Sequence, residues 1–233
     1  MRRIGFSTGA LARGDFRAAL AILRRHKVTI VELSALRIEE LAPLIAALPS
    51  LDLERFSFVS VHAPSRFGRD CEQWVVEQLS VLVQGGFPVI VHPDTIVEPE
   101  RWSSLGSKLV IENMDKRKPV GRTVTELREV FGLLPAARFC FDIGHARQVD
   151  PSMTEAALLL NAFGDRLAEV HMSEVNTASR HDPISPNVTA FSAVAEFIPE
   201  SVPIILEPLI DHGQSDIETE LQRAHDALAP VPA

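Results

Sequence analysis

The sequence contains little cysteine, with only Cys71 and Cys140 among its 233 residues. Cys140 lies within an apolar run, so we predict that it is a buried thiol. Two cysteines of this kind provide neither a disulfide framework nor a cysteine-ligated zinc site. The small domains that depend on either device are therefore excluded.

Long apolar runs are also absent. No stretch approaches the about 18 consecutive apolar residues that indicate a membrane-spanning helix. Residues 1–6 enter a strand-like run without the apolar segment of a signal peptide. We therefore expect a soluble, cytoplasmic protein with no membrane partner.

No cluster of lysine and arginine stands out, and the formal net charge is −8. A protein that binds nucleic acid without regard to sequence usually presents a basic stripe, so this composition disfavours a polyanion binder. Bound cations can still reverse the field locally at a site. Hydrophobic residues make up 46% of the chain, enough to bury a sizeable core.

Short apolar, β-branched runs alternate with amphipathic stretches, and no linker or low-complexity segment interrupts the pattern. Nearly continuous apolar strands joined by helices indicate a parallel sheet that is covered on its outer face. The predicted strands are Ile4–Ser7, Val28–Leu33, Phe56–His62, Val89–His92, Leu109–Glu112, Phe139–Asp142, Ala168–Met172 and Val202–Glu207. The alternative is an open doubly wound sheet, but no Gly-x-Gly-x-x-Gly motif follows the first strand. We predict an α/β fold, a single (β/α)₈ TIM barrel domain over residues 1–233.

Several helices carry recognisable start signals. Thr123 and Glu126 form a capping box, and Ser215 with Glu218 repeats it before the last helix. Asp150 followed by proline predicts a helix that begins at residue 151. The longest irregular stretch, Glu174–Pro186, follows the seventh strand and is predicted to be a functional loop.

Six successive predicted strands each end in a histidine, glutamate or aspartate. These residues are His62, His92, Glu112, Asp142, His171 and Glu207. In a closed barrel the carboxyl ends of the strands converge on the face where barrel enzymes place their chemistry. Three imidazoles and three carboxylates in one cup call for a divalent cation, and this mixed set suits Zn²⁺, Mn²⁺, Co²⁺ or Fe²⁺. Any one of them alone is explained by packing or a salt bridge, but the recurrence on six strands favours a metal site.

Other polar residues are predicted to lie on the same face. His145 and His181 are candidate metal or substrate ligands, and Glu32 and Glu174 are candidates for orienting ligands or binding hydroxyls. Arg37, Arg66 and Arg180 lie on loops of that face, where they would meet an anionic substrate. A solvated surface position is the alternative for each arginine. His212, just past the last strand, is left unassigned.

The motifs resemble the xylose isomerase-like barrel superfamily, which includes sugar epimerases and endonuclease IV (AP endonuclease family 2). The resemblance covers nearly the whole chain. Its clearest pieces are Ile111-Glu112-Asn113, Phe141-Asp142-Ile143-Gly144-His145-Ala146, His171-Met172-Ser173-Glu174 and Ile205-Leu206-Glu207-Pro208. The resemblance implies a divalent-metal site whose core ligands are Glu112, Asp142, His171 and Glu207.

Endonuclease IV implies further metal positions. The resemblance makes His62 and His92 the ligands of a second position, with Glu112 bridging, and it makes His145 and His181 two ligands of a third. The remaining ligand of that third position is an aspartate in endonuclease IV, whereas this chain has Ser179 there. Asp182 is the nearest candidate to replace it.

Two reaction classes and one binding role follow from the resemblance. The preferred hypothesis is an isomerase or epimerase of a small carbohydrate, in which Glu112 and Glu207 transfer the proton while a metal stabilises an enediolate. The epimerases usually carry an arginine near the position of Thr177, and Arg180 is the nearest replacement here. The third possibility is a barrel that binds sugar or metal without turnover.

The alternative enzyme is a phosphodiester hydrolase of the endonuclease IV type. His62 and His92 favour it, since they supply ligands for an additional metal. Ser179, the acidic balance and the short loops argue against a DNA duplex as its substrate. Phe67, beside Arg66, is the single candidate for a side chain inserted into DNA.

Overall fold

Eight parallel strands close into a barrel in the computed structural model of the protein, which describes residues 2–186, 188–210 and 216–229. The order around the barrel is β1-β2-β3-β4-β5-β6-β7-β10, and the pairing of Ile4 with Ile204 closes it. The strands are β1 (Ile4–Ser7), β2 (Ile30–Ser34), β3 (Phe58–His62), β4 (Val89–Val91), β5 (Leu109–Glu112), β6 (Arg138–Asp142), β7 (Leu167–Met172), β8 (Glu174–Val175), β9 (His181–Asp182) and β10 (Ile204–Leu206). The predicted (β/α)₈ TIM barrel is confirmed. His212 and Ser215 lie outside the described residues.

Helices surround the barrel. They are α1 (Thr8–Ala12), α2 (Phe16–Leu23), α3 (Ile38–Ala47), α4 (Glu72–Gln84), α5 (Pro99–Trp102), α6 (Val124–Leu133), α7 (Ile143–Val149), α8 (Thr154–Phe163) and α9 (Ile217–Ala227). A 3₁₀ helix (Ala190–Phe197) takes the place of an α-helix before β10. Val75, Leu79 and Leu82 show how these helices bury one apolar stripe, since all three lie on the buried side of α4. None of the helices in the described ranges is long and apolar enough to cross a bilayer.

The barrel strands are buried on both faces, and their alternation divides the core in two. Ile90, Val110 and Cys140 form a small cluster separate from the main core, and each precedes a predicted ligand by two residues. Successive strand side chains point to opposite faces, so these three residues lie inside the barrel, directly below the predicted ligands. The prediction that Cys140 is buried is confirmed.

The predicted helix start at residue 151 is wrong. Helix α8 begins at Thr154, after Met153, whose φ of 63° lies in the left-handed region. Asp150 instead accepts hydrogen bonds from the backbone N–H groups of Ser152 and Glu155, at 3.0 and 2.9 Å. Because the carboxylate is used to close this turn, the chain makes one more turn before the helix starts.

The stretch that follows β7 is more regular than predicted. Strands β8 and β9 form a two-stranded antiparallel ladder in which Glu174 pairs with Asp182 and Val175 with His181. This hairpin folds the chain back, so that His181 returns to the carboxyl-end face of the barrel.

The capping box at Thr123 is confirmed on its N-cap side, because the threonine hydroxyl accepts a hydrogen bond from the Glu126 N–H at 3.3 Å. We expect Thr123→Ala to lower the free energy of unfolding by about 1 kcal/mol, since one N–H of the first turn loses its acceptor. Urea unfolding of the variant measures the loss. The control is Thr177→Ala at an exposed turn position, and an equal loss in both variants would contradict the capping role.

Candidate metal centre

Glu112 lies at the centre of the strand-end residues, and its two carboxylate oxygens face different histidines. Oε2 is 3.2 Å from Nε2 of His62 and 3.3 Å from Nε2 of His92. Oε1 is 3.3 Å from Nδ1 of His145 and 3.4 Å from Nδ1 of His171. One buried carboxylate therefore lies between two sets of imidazoles.

Side chains that share this centre fall into groups whose ligand atoms lie within 4.8 Å of one another, close enough to hold a metal ion. Three of the four such groups in the described part of the chain are His62-His92-Glu112, Glu112-Asp142-His171-Glu207 and Asp142-His145-His181. The fourth, Glu32-His62-His171, lies on the other side of the His171 ring. The structure thus brings together all six predicted strand-end residues and both second-tier histidines. That they bind metal stays a prediction.

Local sequence features fix the Asp142 side of the centre. Asn113 clamps the ends of β5 and β6, because its amide donates to the Asp142 carbonyl and accepts from the Asp142 N–H, both at 2.8 Å. Asp142 also caps α7, accepting from the His145 N–H at 2.6 Å. A side chain at Gly144 would approach the Ser173 carbonyl to 2.5 Å, so only glycine lets α7 start this close to β7. The Asp-Ile-Gly-His motif is therefore explained by a tight strand-to-helix turn that presents Asp142 and His145 together.

The donor set fits a divalent cation. Within the described part of the chain, Asp142 Oδ2, Glu207 Oε2 and His171 Nδ1 are buried and have no hydrogen-bond partner. An unsatisfied buried carboxylate is costly, and a cation between these atoms would satisfy all of them. Carboxylate and imidazole are ligands that Zn²⁺, Mn²⁺, Co²⁺ and Fe²⁺ share.

The electrostatics of the metal-free centre point the same way. Burial alone would lower the pKa of His62, but the carboxylates of Glu32 and Glu112 outweigh burial and raise it to about 9. Burial is likewise outweighed at His145, where Asp142 and Glu112 raise the pKa to about 10. Burial, with the charge of Glu112, raises the pKa of Glu207 to about 8. Without metal, the centre therefore holds protons where a cation would otherwise lie.

Two predicted residues lie apart from these groups. Arg37 is largely exposed and pairs with Glu39 and Glu40 at the start of α3. Glu174 accepts from the Ser185 N–H at 2.9 Å and lies 3.6 Å from Arg147. Their side chains turn toward other partners on the loops and helices of this face, which a strand-end rule does not foresee.

Two loop residues that the resemblance places near a third metal position have other hydrogen-bond partners. Ser179 donates to Asp115 Oδ1 at 2.8 Å, and Asp182 accepts from the Asn176 amide at 2.8 Å. Asp182 therefore does not replace the missing aspartate in any described group, and Asp142 is the carboxylate beside His145 and His181.

Sequence reasoning missed Glu169, a fully buried glutamate on β7. Its Oε1 lies 3.3 Å from Nε2 of His171 and accepts from the Ser60 hydroxyl at 3.0 Å. The alternation of strand side chains contains the signal, because Glu169 precedes His171 by two residues and must share its face. Glu32, which was a candidate, lies on the same side of His171, with 3.2 Å between Oε2 and Nε2.

A cavity of about 470 Å³ opens above the centre. Its floor includes His62, His92, Glu112, His145 and Glu207. The cations around it are Arg66, Arg117, Lys118 and Arg180, and its exposed apolar side chains are Leu36 and Leu209. Both Arg66 and Arg180 therefore stand where the sequence predicted them, on the loops of this face.

The fold has solved counterparts. A D-psicose 3-epimerase crystallised with D-fructose superposes with a TM-score of 0.64 at 14% identity, over 98% of this chain and 97% of the other. Endonuclease IV from Thermus thermophilus gives 0.59 at 18% identity, over 97% of each chain. An uncharacterised protein from Parabacteroides distasonis gives 0.58 at 13% identity, over 97% of this chain and 98% of the other.

Neither a protein-family profile nor a curated protein matches the sequence. The structural neighbours nevertheless share the fold, a closed barrel of eight parallel strands, as the sequence predicted.

Proposed function

We propose that this protein hydrolyses a small phosphodiester with the help of two or three divalent metal ions bound at the candidate metal centre. The proposal is based on the way the two carboxylate oxygens of Glu112 face different histidines. One oxygen faces His62 and His92, and the other faces His145 and His171. Glu112 would therefore be a ligand in both of the groups that contain it. Two of the structural neighbours, the epimerase and endonuclease IV, are enzymes, which supports a catalytic role.

The proposed ligand sets follow the three groups. His62, His92 and Glu112 would hold one ion, and Glu112, Asp142, His171 and Glu207 another. Asp142, His145 and His181 would hold a third, with only one carboxylate among its protein ligands. Zn²⁺, Mn²⁺, Co²⁺ and Fe²⁺ all suit such sets. Bound divalent ions supply Lewis-acid chemistry, since they lower the pKa of water and neutralise charge on phosphate oxygens.

The shared carboxylate favours hydrolysis over isomerisation. Proton transfer next to a carbonyl needs one cation and a pair of bases, which the group containing Glu112 and Glu207 alone would provide. His62 and His92 then have no task in that reaction. Two adjacent cation positions are what an in-line displacement at phosphorus uses, because the attacking and leaving oxygens both carry charge.

The cavity favours a small substrate. Its volume of about 470 Å³ suits one small molecule rather than a polymer. Arg66, Arg117 and Arg180 line it and would pair with non-bridging phosphate oxygens or a further anionic group. Leu36 and Leu209 offer an apolar surface to an ester substituent. The chain carries a net charge of −8, which disfavours a long polyanion as the partner.

The protein side chains would hold the substrate and the two groups of metal-binding residues in place during hydrolysis. Water adds to phosphorus, one P–O ester bond breaks, and the products are a phosphomonoester and an alcohol that takes up the proton. The arginines of the cavity would orient the phosphate. The carboxylate of Glu112 keeps the two ligand sets at a fixed separation.

A sugar isomerase or epimerase is the second candidate, because His171 Nδ1 lies between two carboxylates. It is 3.4 Å from Glu112 Oε1 and 3.5 Å from Glu207 Oε2. A cation at this point would have a potential base on either side, as removal and return of a proton require. A small carbohydrate also fits the cavity volume.

The two candidates make different products. The purified protein, reconstituted separately with Zn²⁺, Mn²⁺ and Co²⁺, is assayed with bis(p-nitrophenyl) phosphate and with an abasic-site DNA duplex. In parallel, D-fructose is incubated with it in D₂O and followed by proton NMR. We expect release of p-nitrophenol, little cleavage of the duplex and no exchange of carbon-bound protons.

Metal analysis of the same preparation is expected to give two or three ions per chain. One ion per chain with deuterium exchange into the sugar would replace the hydrolase by the epimerase. Ions bound with no turnover of either probe would favour a barrel that only binds its ligand, and cleavage of the duplex would favour a DNA substrate.

A further inference from the structure

A second polar layer lies beneath the candidate metal centre. Glu32 on β2 and Glu169 on β7 are both 0% exposed, in the part of a barrel that apolar side chains usually fill. On β4, β5 and β6 the same level inside the barrel is occupied by the apolar side chains of Ile90, Val110 and Cys140. Two acidic residues at this level are costly unless they have a task.

Both glutamates lie beside the same atom, Nε2 of His171. Nε2 of His171 is 3.2 Å from Glu32 Oε2 and 3.3 Å from Glu169 Oε1. The hydrogen bond of Nε2 goes to Glu169 Oε1, whereas Glu32 Oε2 is a buried charged atom beside it without a hydrogen bond among the described residues. The other ring nitrogen, Nδ1, faces the centre, where Glu112 and Glu207 lie. His171 therefore connects the buried layer to the ligand groups above it.

Hydroxyl groups hold the two glutamates in place. The Ser60 hydroxyl donates to Glu169 Oε1 at 3.0 Å, and the Ser34 hydroxyl donates to Glu32 Oε1 at 3.4 Å. A neutral imidazole has one N–H, and an ionised carboxylate can only accept it. Two carboxylates fixed beside Nε2 therefore favour the tautomer that carries its proton there.

We propose that Glu169 and Glu32 are positioning residues that hold the Nε2–H of His171 and leave the Nδ1 lone pair free for a divalent cation. The carboxylates set the orientation of the ring and increase its basicity as a ligand. They do not contact the substrate cavity, whose lining includes neither residue. The inference depends on metal binding at the centre and is independent of which reaction follows.

The first test is metal affinity without substrate. Glu169→Leu replaces the carboxylate by an apolar group of similar size and so removes the acceptor. Glu169→Gln replaces it by an amide whose oxygen can still accept the N–H. We expect the Leu variant to bind Zn²⁺ about 10- to 100-fold more weakly in competition with a chromogenic chelator, and the Gln variant to recover most of the loss. Glu72→Gln is the matched control, because Glu72 is buried on α4 and contacts Trp102 instead.

The second test observes the ring itself. Nitrogen-15 NMR of the histidine-labelled wild-type protein, with and without Zn²⁺, assigns the proton of His171 to one nitrogen. We expect a protonated Nε2 and a Zn²⁺-bound Nδ1. Zn²⁺ on Nε2, between Glu32 and His62, would overturn the proposal, as would equal affinity of Glu169→Leu and wild type. If Glu169→Leu does not fold, the wild-type spectrum still decides, and neither readout depends on hydrolysis.

Discussion

Glu112→Gln is expected to reduce kcat/KM by about 10³-fold, the equivalent of several kcal/mol of transition-state stabilisation. The amide keeps the size of the side chain but loses the charge and one of the two oxygens that face separate histidine sets. Both cation positions that include Glu112 are therefore weakened at once. Metal analysis of the variant should fall from two or three ions to at most one, at the Asp142-His145-His181 group.

Steady-state kinetics with bis(p-nitrophenyl) phosphate and elemental analysis measure the two effects together. Glu129→Gln, on the exposed side of α6, serves as the control and should keep its full metal content and activity. Retention of all ions by Glu112→Gln would contradict the bridging role. Loss of ions from Glu112→Gln with activity retained would separate the metal centre from the reaction.

Metal affinity is expected to rise steeply with pH, because protons compete for the same ligands. The pKa of His62 is raised to about 9 and that of His145 to about 10 in the metal-free centre, both by neighbouring carboxylates that outweigh burial. Both imidazoles therefore hold a proton at neutral pH that a cation must displace. Each displaced proton raises the apparent affinity for the ion that displaces it by about tenfold per pH unit. His62 and His145 belong to different ligand groups, so each of those two ions should bind about tenfold more tightly per unit up to about pH 9.

Chelator competition at a series of pH values measures this slope, and proton release into a weakly buffered solution on addition of Zn²⁺ counts the displaced protons. A raised pKa also means that the charged imidazoles stabilise the metal-free fold fully below about pH 6.5. This contribution is lost as the pH rises through about 9 to 10, so the metal-free protein should lose stability over that range. An affinity that is constant from about pH 6 to 9 would show that the ligands carry no protons to displace.

The sequence alone predicts those site residues that lie at the ends of strands. His62, Glu112 and Asp142 each end an apolar β-branched run, and the carboxyl ends of parallel strands meet on one face. Glu169 follows the same rule, but it lies inside its strand rather than at the end, and an apolar interior was assumed there. Glu174 and Arg37 face local partners on the loops and helices, and no periodicity in the sequence predicts such contacts.

By itself, the sequence determined the barrel and the residues that can meet at its mouth, because strand and helix periods are local properties of the chain. Only the tertiary structure decided how they meet. The division of the Glu112 oxygens, the partnership of Asp142 with His145 and His181, and the two carboxylates behind His171 depend on side-chain directions and loop paths. Those are set by packing between segments far apart in the chain, and no local pattern encodes them.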